Sequence, residues 1–151
     1  SDGIYVAVCR EDIMMAIPPE GGYDSMVVKF SHDLVWEWAG MMGTEGHDLA
    51  TGITIYRGAA DDGEERVMVF GTTTWDLYAA NARRNRKDAF VSIWKTGPYR
   101  YFERGAQFGS AGDDEVTAVA VDSVDGSVYI AGYSDGNLFF DWEPADNPTD
   151  P

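Results

Sequence analysis

The sequence predicts an all-β chain built from four-stranded antiparallel sheets. Three observations carry this. Helical periodicity is almost absent. Short runs rich in β-branched and aromatic residues are separated by Gly, Asp and Asn clusters. The pattern also recurs along the chain after about 60 residues.

The expected strands follow in order. Residues 3–8, GIYVAV, form an apolar run without helical spacing, and 24–30, DSMVVKF, form a second. Residues 34–40, LVWEWAG, place Trp36 and Trp38 on one face of a strand. Next come 51–56 (TGITIY) and 66–73 (RVMVFGTT). In 88–94, DAFVSIW, alternation puts Phe90, Ser92 and Trp94 on one side and Val91 and Ile93 on the other. Residues 99–106 (YRYFERGA), 116–122 (VTAVAVD) and 127–133 (SVYIAGY) complete the set. Asp62-Gly63 and Asp125-Gly126 stand between strands, where a tight hairpin needs positive φ. One helix is expected at most, over 75–86 (WDLYAANARRNR), on propensity alone.

The repeat sets the architecture. MGTEGHDLATGITI (42–55) aligns without a gap to FGSAGDDEVTAVAV (108–121) at an offset of 66. VMVFG (67–71) matches VYIAG (128–132), DSMVVKF matches DAFVSIW, and IYVAV (4–8) matches VMVFG. Four strands per period of about 60 residues is the signature of a β-propeller blade. One domain is expected over 1–134, with a partial blade at 3–40, a blade at 51–106 and a partial blade at 116–133. An acidic, proline-containing tail follows at 135–151. A closed propeller needs about four blades or more, so these strands do not close a ring.

Residues 108–134, FGSAGDDEVTAVAVDSVDGSVYIAGYS, resemble the SBBP repeat, a β-propeller repeat of the form GGSGDDxxxxIAVDSxGNVYVTGxT. Gly109, Ser110, Gly112, Asp113, Asp114, Val119, Ala120, Val121, Asp122, Ser123, Gly126, Val128, Tyr129 and Gly132 carry the likeness. The copy at 42–73 is degenerate: His47 stands where the pattern has its first Asp, and AADDGEER is inserted. The resemblance implies blades of four strands, A to D from the central channel outward. It also implies a secreted or surface setting and a family with few assigned activities.

Composition narrows function. The 11 Lys and Arg face 26 Asp and Glu, a net charge of −15, which argues against nucleic acid or an anionic membrane surface as partner. No apolar run approaches a membrane span. Cys9 is the lone cysteine, and neither His32 nor His47 sits in a catalytic motif. No nucleophile elbow, phosphate-cradling glycine loop or HExxH is present, so no catalytic residue is assigned and no cofactor is required.

Unfinished blades at both ends predict head-to-tail self-association, closing into rings or running on as filaments. The expected contact residues are Ile4, Tyr5, Val6 and Val8, with the basic run Arg83, Arg84, Arg86 and Lys87 meeting the acidic tail at Asp141 and Glu143. Loss of residues 1–9 is then expected to abolish assembly. One Cys and two scattered His give no zinc-ligand spacing, and calcium is the candidate metal, at Asp113 and Asp114 and at Asp122 and Asp125. Trp36, Trp38, Tyr99, Tyr101 and Phe102 suit either packing between blades or a glycan-stacking face, so a fragment of a longer propeller acting as a glycan- or protein-binding module is the alternative function.

Overall fold

The computed structural model describes residues 3–10, 21–56, 65–78, 86–96, 102–122 and 124–138. Nine strands account for its regular structure: β1 (Ile4–Arg10), β2 (Asp24–Phe30), β3 (Trp36–Met42), β4 (Asp48–Tyr56), β5 (Arg66–Thr73), β6 (Asp88–Lys95), β7 (Phe102–Phe108), β8 (Asp114–Val121) and β9 (Val128–Ser134). They form three antiparallel sheets of order β1-β2-β3, β4-β5-β6-β7 and β8-β9. One blade is complete, one holds three strands and one holds two. The sheets do not close on themselves. Among the described residues, no helix is long and apolar enough to cross a membrane.

The four-stranded sheet is the middle of three layers, which is why β5 and β6 are buried on both faces. The alternation in β6 works as its pattern predicts. Phe90 and Trp94 join Val27, Trp38, Met42, Val67 and Val69 in the core shared with the first sheet. Ala89, Val91 and Ile93 join Met68, Phe70 and Val116 in the core shared with the third. Gly40 matters for the first of these cores, because a Cβ there would collide with the Trp94 ring. Burying a side chain the size of Phe90 contributes about 2 kcal/mol.

The sequence repeat is also a repeat of pairing. β4 slips past β5 between Ala50 and Gly52, and β8 slips past β9 between Val116 and Ala118. The skipped residues, Thr51 and Thr117, are aligned by the 66-residue offset. Opposite each bulge stands a glycine, Gly71 or Gly132, where a Cβ would strike the carbonyl of Leu49 or Glu115.

Four expectations need correction. The third strand starts at Trp36 rather than residue 34, because Ser31 to Val35 closes a turn with Leu34 at φ 59°. The Ser31 hydroxyl accepts the Val35 amide in that turn. The fourth begins at Asp48, since the bulge lets pairing continue through Ala50. The seventh spans Phe102–Phe108, not 99–106. No helix forms over 75–78, where Gln107 holds the backbone instead: its Oε1 accepts the Leu77 and Tyr78 amides and its Nε2 donates to Trp75 O. The rest of that expected helix up to residue 85, and the Asp62-Gly63 turn, lie outside the described residues. Gly126 does take the positive φ expected of Asp125-Gly126, at 77°.

Candidate interface at the open edge of the third sheet

Each pair of successive sheets is joined by the same loop. In Gly43-Thr44-Glu45-Gly46-His47-Asp48, the Thr44 amide and hydroxyl donate to Asp48 Oδ2 at 2.7 and 2.8 Å, and the Gly46 amide donates to Thr44 Oγ1 at 3.1 Å. In Gly109-Ser110-Ala111-Gly112-Asp113-Asp114, the Ser110 amide and hydroxyl donate to Asp114 Oδ2 at 2.6 and 3.0 Å, and the Gly112 amide donates to Ser110 Oγ at 3.1 Å. Backbone bonds repeat as well. The Asp48 amide donates to Tyr23 O and the Asp114 amide to Lys87 O; the Thr74 amide donates to His47 O and the Asp135 amide to Asp113 O.

Buried carboxylates face each other across each loop. Asp24 and Asp48, and Asp88 and Asp114, are almost wholly buried. Gly109 lies between the second pair: a Cβ there would collide with the Asp88 carboxylate and stand 3.1 Å from Asp114 Oδ2. Burial, then the nearby Asp114 charge, pushes the Asp88 carboxyl up to about 6, although a hydrogen bond from Gln107 opposes this. Burial likewise raises Asp48.

Among the described residues the third sheet has two strands: β5 has β4 on one side and β6 on the other, whereas β9 pairs with β8 alone. Beside the open edge of β9 lies an apolar groove of about 660 Å³, between Ala89, Ala106 and Phe108 of the middle sheet and Val116, Ile130 and Gly132 of the third. This is the seat that a third strand would fill. Tyr129, Ile130 and Tyr133 are exposed along β9, the first at 63%. Lys87 and Glu115 form an ion pair beside Tyr133; the bond holds the Glu115 carboxyl below its usual range and the Lys87 ammonium above it.

The likeness read from residues 108–134 is matched by a family model over a slightly longer stretch. Residues 103–140 match the SBBP beta-propeller repeat. This segment contains most of β7 and all of β8 and β9, so the SBBP match includes both sides of the groove. No curated protein matches the chain.

The expected contact residues fall in several places. Ile4 and Val6 are exposed on β1 at 40% and 38%. Tyr5 packs against Trp38 in the first core, and Val8 pairs with Met26. Arg86 and Lys87 meet acids of the third sheet and its loop, Asp113 at 3.4 Å and Glu115. Arg83, Arg84, Asp141 and Glu143 lie outside the described residues.

The calcium groups resolve into loop and turn bonds. Asp113 accepts the Lys87 amide, Asp114 accepts Ser110, Asp122 accepts the Val124 amide and Asp125 accepts the Ser127 amide. Among the described residues no cluster of three or more His, Cys, Asp or Glu side chains is disposed to hold a metal. Trp38 is buried while Trp36 is 48% exposed, so the two do not present a common stacking face. Phe102 stacks on Tyr78 with ring centroids 5.2 Å apart, and Tyr99 and Tyr101 lie outside the described residues. Sequence reasoning did not find the groove, because its walls are built by four strands, β6 to β9, that only the packing of two sheets brings together. The shortage of strands after 116–133 was the available signal.

Proposed function

We propose that this chain is a non-enzymatic structural module that self-associates head to tail through its incomplete blades, in an extracellular or surface setting. The observation that carries this reading is the apolar groove beside β9, at the place where the middle sheet has its third strand. An open apolar edge is a template for another strand, and a contact between unlike ends of one chain propagates instead of ending at a dimer. The residues marking the opposite end are those of the three-stranded sheet, which among the described residues has no strand equivalent to β4.

The test is light scattering across protein concentration, with negative-stain imaging of the same samples. The expected result is mass that grows with concentration, and rings or filaments in the images. Ile130→Lys, which puts a charge into the groove at the open edge, is expected to hold the chain at monomer mass while the fold remains intact by circular dichroism. A wild-type chain that stays monomeric at every concentration overturns the reading.

A further inference from the structure

β1 and β9 are versions of one strand. Ile4-Tyr5-Val6-Ala7 and Val128-Tyr129-Ile130-Ala131 carry the same residue types in the same order. β1 lies on β2 as Ile4↔Phe30, Val6↔Val28 and Arg10↔Asp24. β5 lies on β6 as Val67↔Trp94, Val69↔Ser92 and Thr73↔Asp88. Under the repeat these are equivalent pairs, so β1 occupies a second-strand position. β9 occupies one too, because it meets β8 with the bulge and glycine by which β5 meets β4. Among the described residues there are therefore three second strands but two third strands, β2 and β6.

We propose that β9 of one copy takes the place of β1 on β2 of the next copy. This rests on the head-to-tail reading and specifies its contact. The joined sheet runs β8-β9 from one copy and β2-β3 from the next, the order of β4-β5-β6-β7. Its register follows from the repeat: Val128 opposite Phe30, Ile130 opposite Val28 and Ser134 opposite Asp24.

The exchange is close to balanced at β2 itself. One seven-residue ladder opens and a like one forms, and Tyr129 takes the position opposite Lys29 that Tyr5 holds, 5.8 Å from the Lys29 ammonium. Met26 and Val28 of β2 are already buried. The gain lies at the other strand. β9 acquires a partner along its open edge, and the groove is filled by β2 as Phe90 and Trp94 of β6 fill the space over Val27, Trp38 and Met42. Because a ladder must open first, association is slow. The exchange also reverses one expectation: loss of residues 1–9 frees the β2 edge and speeds association instead of abolishing it.

Two cysteine pairs in a Cys9→Ser chain test this. V6C/V28C places a disulfide across directly opposed residues of β1 and β2 and locks β1 down. Oxidised, it is expected to remain monomeric; reduced, to regain the concentration-dependent mass of the wild type. V28C/I130C is expected to give disulfide-linked dimers and higher ladders when associated chains are oxidised. If oxidised V6C/V28C associates like the wild type, or V28C/I130C gives no intermolecular cross-link in associated protein, strand exchange is overturned while head-to-tail association stands. If the wild type itself never associates, the underlying reading falls, and the exchange with it.

Discussion

His47 and Asp113 perform one task in two copies of the same loop. His47 Nδ1 accepts the Tyr23 amide at 3.1 Å, and Asp113 Oδ1 accepts the Lys87 amide at 3.1 Å. The residue that makes the first copy look degenerate preserves the acceptor its position requires. That use of Nδ1 places the imidazole proton on Nε2.

Replacing His47 by Asp should therefore be tolerated, because a carboxylate restores an acceptor at the same point. His47→Ala removes it. The Tyr23 amide is near the surface, where water substitutes in part, so the expected loss is about 0.5–1 kcal/mol. Chemical denaturation of the two variants beside the wild type measures the difference.

The glycine between the aspartates of the second loop tolerates no side chain. Gly109→Ala drives a methyl into the Asp88 carboxylate beside Asp114. Overpacking of this kind costs about 1–3 kcal/mol, and the buried surroundings place this case near the top of that range. The denaturation midpoint should fall with an unchanged slope.

Stability should decline as pH rises through the Asp88 titration. Its carboxyl is raised from 3.8 to about 6, so the folded chain favours the protonated form. The contribution is fully present below the unfolded value and is lost progressively between about pH 4 and about pH 6, by at most about 3 kcal/mol. Asp48 acts in the same direction. Asp88→Asn, which keeps an acceptor for Gln107 and removes the like charge beside Asp114, should be more stable than wild type at pH 7.5 and less so at pH 4. Thermal melts across that range check the sign.

Ser25 ties the first sheet to the second. Its buried hydroxyl donates to Asp48 O at 2.6 Å and accepts the Ala50 amide at 2.6 Å, beside the β4 bulge. Ser25→Ala leaves that amide unmet in the interior, with an expected loss of about 2 kcal/mol. The Ala50 amide should also exchange its hydrogen faster in the variant.

Strand identity was legible because it rests on local composition and on a repeat visible in one chain. All nine expected strands occur, and β2 and β5 have the expected limits. Limits failed where a distant partner decides them. Over 75–78 the expected helix loses to Gln107, which arrives from about 30 residues away to take the Leu77 and Tyr78 amides. The third strand starts late because Leu34 adopts a turn conformation that its side chain does not advertise. The groove was legible as a missing strand but not as a surface. Lys87 and Arg86 read as available cations, and only their placement shows Glu115 and Asp113 beside them.

The duplicated loops have a consequence for how the molecule comes apart. Each sheet is fixed to the next by its own set of bonds: Asp48 with Thr44 and Tyr23 at one joint, Asp114 with Ser110 and Lys87 at the other. Coupling then reaches mainly to the adjacent neighbour, as in a linear lattice of like units. Opening should fray inward from the two-stranded sheet and persist longest in the middle one, and lengthening the array would raise cooperativity without any change in the joint.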